Sequence, residues 1–167
     1  MVIKRMVLPL LFALAPAALL QAQTDAVEAV RQYRNAHAAG IINEYRTFLR
    51  MPNVASDLPD IRRNAEYLAG EFGKRGVDME LLTLPDRPDA PPVVFGELRV
   101  PGAERTLVIY VHYDGQPVDP GSWAHDPWEP TLYSGSMERE GRPIPFPAEG
   151  ETVDPEWRIY ARSASDD

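Results

Sequence analysis

The stretch Thr106-Leu107-Val108-Ile109-Tyr110-Val111-His112-Tyr113-Asp114 constrains this chain most. Its apolar, β-branched core has no helical period and predicts a strand buried on both faces. The run then ends in an imidazole and a carboxylate. A second run, Trp157 to Arg162, predicts another buried strand, and it leads into Ser163-Ala164-Ser165-Asp166-Asp167. Open α/β sheets gather their sites beyond the carboxyl ends of strands, so both polar endings are expected at one edge.

A length of 167 residues fits one domain, and 44% hydrophobic with 25% charged residues is a globular composition, not a disordered one. Most of the 17 prolines fall after Met51, which predicts a rigid, loop-rich second half. Residues 1–22 have the form of an export signal: Lys4 and Arg5, an apolar stretch from Met6 to Leu20, and Leu20-Gln21-Ala22 as a cleavage site. Pro9, Pro16 and the short apolar length argue against a permanent span, and with no cysteine there is no site for a lipid anchor. The expected location is therefore periplasmic or secreted. Removing the signal leaves 15 basic against 25 acidic residues, a net charge of −10. Such a surface repels phosphate backbones, which makes nucleic acid a poor partner. With zero cysteines, any metal site must use His, Asp and Glu.

Residues 25–50 carry apolar side chains near helical spacing, with Asp25 as a cap, Met51-Pro52 as a stop and Gly40 as a candidate break. A second helix is expected over 60–74, with Ile61, Ala65, Leu68, Ala69 and Phe72 on one face and Gly76 at its left-handed end. Strands are expected over 78–84, 93–100 and 106–112, with Pro101-Gly102 turning between the last two. Gly115 permits a sharp turn after Asp114. Residues 117–156 show little regular pattern. The class is α/β, with a mixed sheet flanked by helices, and no second complete domain is indicated.

His112 and Asp114 would share one face of a continuing strand, where the carboxylate can hold the imidazole. A metal-bound histidine needs its other ring nitrogen held in this way, although the tripeptide alone is equally ordinary strand-end polarity. Asp166 and Asp167 repel one another unless a cation or proton lies between them, yet they also suit a solvated chain end. His37 is expected on a helix face, and His125, Trp123, Trp128 and Glu129 in a loop; His125 has a small claim to substrate contact.

The wording around these residues is more specific. His112-Tyr113-Asp114-Gly115-Gln116-Pro117-Val118-Asp119-Pro120, then Trp123, then Asp126-Pro127-Trp128-Glu129-Pro130, then Ala161-Arg162-Ser163-Ala164-Ser165-Asp166-Asp167, resembles one family. It is the zinc-dependent metallopeptidase family of carnosinase, carboxypeptidase G, acetylornithine deacetylase and succinyl-diaminopimelate desuccinylase. The resemblance covers roughly residues 40–167, with its specific motifs in 112–130 and 161–167. It implies the amino-terminal part of a zinc-peptidase catalytic domain. His112 would ligate one zinc, Asp114 would orient His112 as the catalytic-site carboxylate, and Asp166 would bridge two zinc ions, with cobalt or manganese as substitutes. Asp167 matches the adjacent, less constrained position. The wording near 113–120 looks more like the dipeptidase members, so dipeptides or N-acyl amino acids are the implied substrates.

Three departures stand out. Ala161 and Ser163 replace the two glycines of the family's Gly-Arg-Gly, and the segment between Pro130 and Trp157 is longer than usual. The family's general-base glutamate and remaining metal ligands lie beyond the bridging aspartate, as does the dimerising domain, so a homodimer is expected only of a full-length protein. The expectation is an incomplete catalytic domain over 23–167. The rival is a non-catalytic remnant or binding protein that keeps part of the fold.

Overall fold

The computed structural model describes the backbone of residues 15–165, with side chains described from residue 25 onward. Most of the expected export signal and both terminal aspartates thus lie outside the described residues. Helix α1 spans Ala15–Ala36 and α2 spans Ala38–Leu49. Asp25 is therefore inside α1 and not at its start. The helices divide at His37, not at Gly40: His37 has φ −114° and ψ 12°, outside the helical range. Its Nδ1 lies 2.8 Å from the Tyr33 carbonyl oxygen, and its ring stacks on Tyr33 with centroids 4.1 Å apart. A side chain that engages the backbone four residues earlier competes with regular helix, whereas an interior glycine costs only about 1 kcal/mol. No described helix is long and apolar enough to cross a membrane.

Helix α3 (Leu58–Lys74) ends where expected and begins two residues earlier than expected. The Asp57 side chain accepts a hydrogen bond from the Asp60 amide at 3.2 Å, and Pro59 lies in the first turn. Gly76 ends the helix with φ +81°. Ile61 and Ala65 are fully buried, Leu68 and Ala69 half-buried, and Phe72 exposed. Strands β1 (Asp78–Leu82) and β2 (Val93–Glu97) pair antiparallel, Asp78 opposite Glu97, and pack on α3.

The class is the expected α/β one, and its strands form two separate antiparallel sheets. The second sheet arises partly within 117–156, where the sequence shows little regular pattern: β3 (Thr131–Tyr133) lies between β4 (Pro143–Ile144) and β5 (Arg158–Tyr160). Strand β5 falls within the expected 157–162 run but is only half-buried. Strands of two or three residues are too short to display alternation, and Pro143 would count against one. Leu49, Ile61, Leu132 and Pro127 are the large, fully buried apolar side chains.

The strand expected over 106–112 does not form. Leu107 is 83% exposed and Tyr110 87%, and Thr106–Val111 make no hydrogen bond to any described residue. β-Branched residues favour extended backbone, but a strand exists only where a neighbour meets its N–H and C=O groups. No described segment lies beside this one. Only past its end does pairing begin, at the parallel bridge between Gly115 and Val54.

These burials predict opposite outcomes for two isoleucines. Ile61→Ala should cost about 2–5 kcal/mol in denaturant unfolding, the range for a buried large-to-small change. Ile109→Ala should stay within about 0.5 kcal/mol. A large loss at Ile109 would show that the 106–111 run is buried after all.

Candidate functional site

The residues around His112 are held by a loop between α2 and α3. Helix α2 stops at Leu49, ahead of Pro52, which places Asn53 at the centre of the turn into α3 with 3% of its surface exposed. Its carbonyl accepts from the Gly115 amide at 2.7 Å, and the Gly115 carbonyl accepts from the Ala55 amide at 2.9 Å. The Asn53 side-chain Nδ2 donates to the Tyr113 carbonyl at 3.1 Å. Tyr113 is anchored again through its hydroxyl, which donates to the Pro92 carbonyl. Burial pushes that hydroxyl's pKa up, and the Asp114 carboxylate adds to the rise.

His112 and Asp114 come together, but through a local turn and not through a shared strand face. The imidazole Nδ1 lies 3.0 Å from the Asp114 carbonyl oxygen and 3.6 Å from its carboxylate Oδ1. Both atoms face the same nitrogen, and the main-chain oxygen is the nearer. An Nδ1–H directed at oxygen leaves Nε2 as the ligating atom of a neutral imidazole.

The segment leading toward Asp166 reaches the same place. The Ser163 hydroxyl, 6% exposed with its residue, donates to Asn53 Oδ1 at 2.9 Å. Arg162 donates from Nε to the Gln116 carbonyl at 3.2 Å and from its amide to the Pro127 carbonyl at 2.8 Å. The Tyr45 hydroxyl donates to the Ala164 carbonyl at 3.1 Å, and burial raises its pKa. The segments 112–116 and 161–164 are therefore neighbours. Ala161 and Ser163 are both buried, and the serine uses its hydroxyl as a tie. Asp166 and Asp167 lie outside the described residues. Asn53 carried no signal in the sequence: a polar residue after a helix gives no sign of being buried.

Among the described residues no group of three or more His, Asp or Glu side chains could hold a metal ion. A catalytic zinc takes three protein ligands and an open position. The described residues do not complete such a cage.

The other candidates sit apart. His37 is exposed beside Tyr33. His125 Nε2 lies 2.7 Å from the hydroxyl of Tyr133, which in turn packs edge-on to Tyr160, so this histidine belongs to the second sheet. Trp123 is 37% exposed and closes a short 3-10 turn at 120–122 by donating its amide to Pro120. Glu129 pairs with Arg46 of α2 and with Arg50, the residue that follows the helix: Arg50 donates Nε to it at 2.9 Å, and Arg46 Nη2 lies 3.3 Å away. The hydrogen bonds from Arg50 hold its carboxyl below the ordinary value, against partial desolvation and with help from Arg46.

No protein-family model matches the chain, and no solved structure does. The chain is similar to the Cys-Gly metallodipeptidase dug1 of Schizosaccharomyces pombe (strain 972 / ATCC 24843), with 29% identity over 127 residues. The match takes in 70% of this chain and 22% of the yeast protein, so the chain spans about a fifth of that relative's length.

The Glu129 pair has a definite pH dependence. Its folded pKa is depressed, so its contribution is present above the ordinary carboxylate range and is lost as pH falls through the folded value. Glu129→Gln should lower stability at neutral pH by less than about 1 kcal/mol, the scale of a solvated pair. In acid the two proteins should melt alike. A gap that persists unchanged into acid would refute the ion-pair account.

Proposed function

We propose that this chain is the amino-terminal part of an exported metallopeptidase that hydrolyses the amide bond of dipeptides or N-acyl amino acids. One observation carries the reading: the His112–Asp114 turn and the 161–164 segment are tied side by side, in a sequence similar to a metallodipeptidase. Residues 1–22 serve as the signal, and 23–167 form an incomplete catalytic domain whose destination is periplasmic or secreted. His112 is a zinc ligand through Nε2, Asp114 its orienting partner, and Asp166 the bridging carboxylate. Zinc, when bound, supplies Lewis-acid chemistry that polarises a carbonyl and acidifies water toward pKa ~7. The residues of this chain hold the imidazole in one tautomer and bring the two ligand-bearing segments together. Nucleic acid is not a partner of so acidic a surface, and dimerisation belongs to the full-length protein.

The rival, a non-catalytic remnant or binding protein, draws on one observation: the described residues contain no three-ligand group. A coding sequence that continues past Asp167 into Lys-Gly, and later into Glu-Glu and His, supports the enzyme. A stop codon there supports the remnant.

With two candidate ligands, the 167-residue chain should bind zinc or cobalt weakly and turn over no dipeptide. His112→Ala should abolish that binding in a calorimetric titration. Asp114→Ala should weaken it toward the lower end of the roughly 10- to 100-fold range for supporting residues, because the main-chain carbonyl still faces Nδ1. Metal affinity unchanged in His112→Ala would refute the ligand assignment. Chelator-sensitive dipeptide hydrolysis by this chain would overturn the incomplete-site reading.

A further inference from the structure

We infer that Asn53 is a positioning residue whose carboxamide sets the distance between the His112–Asp114 turn and the Ser163–Ala164 turn. The inference rests on the proposed metal site, because these are the segments that bear its ligands.

Asn53 reaches across 60 positions to Tyr113 and across 110 to Ser163. Its two polar ends do different work. Nδ2 is the donor that the Tyr113 carbonyl needs, and Oδ1 is the acceptor for the Ser163 hydroxyl. The reverse orientation of the amide would set Oδ1 against a carbonyl oxygen, so the network fixes one rotamer. A carboxylate in the same shape loses the donor and repels the Tyr113 carbonyl. An apolar side chain leaves the Tyr113 carbonyl without this donor and the Ser163 hydroxyl without this acceptor. The main chain of Asn53 adds the bond from Gly115, so one residue grips the turn twice while its side chain grips the other segment. Nothing else among the described residues bonds both Tyr113 and Ser163 directly; Arg162 joins the two regions only farther along, at Gln116.

The test is Asn53→Asp in the whole chain, followed by amide hydrogen exchange. Gly115 and Ala55 should exchange roughly tenfold faster or more, the effect of one unmet buried polar group. Ala65, inside α3, should keep its wild-type rate. A residue that only stabilises the fold would speed all three together, and that result overturns the inference, as would unchanged rates at Gly115 and Ala55. Ser163→Ala, a milder change, should give the same local signature if Asn53→Asp fails to fold. In a double-variant cycle, Asn53→Ala with Ser163→Ala should accelerate Gly115 less than the two single changes combined. Full additivity would mean the two side chains act separately and would overturn the proposal.

A cobalt(II) titration separates this inference from the reading it rests on. Wild-type chain should show a visible cobalt spectrum that His112→Ala removes and Asn53→Asp weakens. Loss of the spectrum in neither variant refutes the metal site, while the exchange pattern still tests the part played by Asn53 on its own. A spectrum lost in His112→Ala but untouched in Asn53→Asp refutes the positioning role.

Discussion

The buried carboxamide of Asn53 joins three stretches of chain that no regular secondary structure connects. A buried amide without partners costs about 1–3 kcal/mol for each unmet group, so the bonds to Tyr113 and Ser163 are conditions for the loop to bury at all. Once Asn53 is inside, its own carbonyl meets Gly115, and the bridge from Val54 to Gly115 forms as a consequence. The candidate site is thus organised from the loop between α2 and α3. The strand that was expected to carry it contributes nothing to its support among the described residues.

Much of what was legible in the sequence is local. The Ile61–Ala65 spacing and Gly76 mark α3 because periodicity and a positive φ act within a few residues, whereas the Asp57 cap and Pro59 set a start two residues before the expected 60. Strands β1 and β2 were legible for the same reason, though shorter than expected; their pairing with each other was not, because the turn signal Pro101-Gly102 lies beyond β2. The nearness of His112 and Asp114 needs only two residues of separation, and it survives the loss of the strand that motivated it. The rest depends on partners. Propensity in 106–111 specifies an extended backbone but not a neighbour, and the second sheet is built from strands too short to show a period. Buried polarity at Asn53, Asn64 and Ser163 is a tertiary property with no local signature.

Charge follows the same division. The acid excess of the whole chain argues about partners and says nothing of which pairs form. In the fold, Glu129 anchors the 126–130 loop to α2, and Arg75 links Glu44 of α2 to Glu71 of α3. Each pair is solvated and worth little alone, but each joins elements that share few buried side chains.

The apolar run 106–111 is exposed, and His112 follows directly from it. The imidazole is consequently held from its carboxyl side, by Asp114 and the Asn53 loop, while the residues before it have no hydrogen-bonded neighbour among those described. Fixing a backbone residue costs about 1–2 kcal/mol, so rigid placement of a ligand at the end of such a run requires pairing energy along the run itself. On the proposed reading, metal affinity at His112 and burial of 106–111 would be linked quantities: a partner that pairs with the run would also pre-order the imidazole.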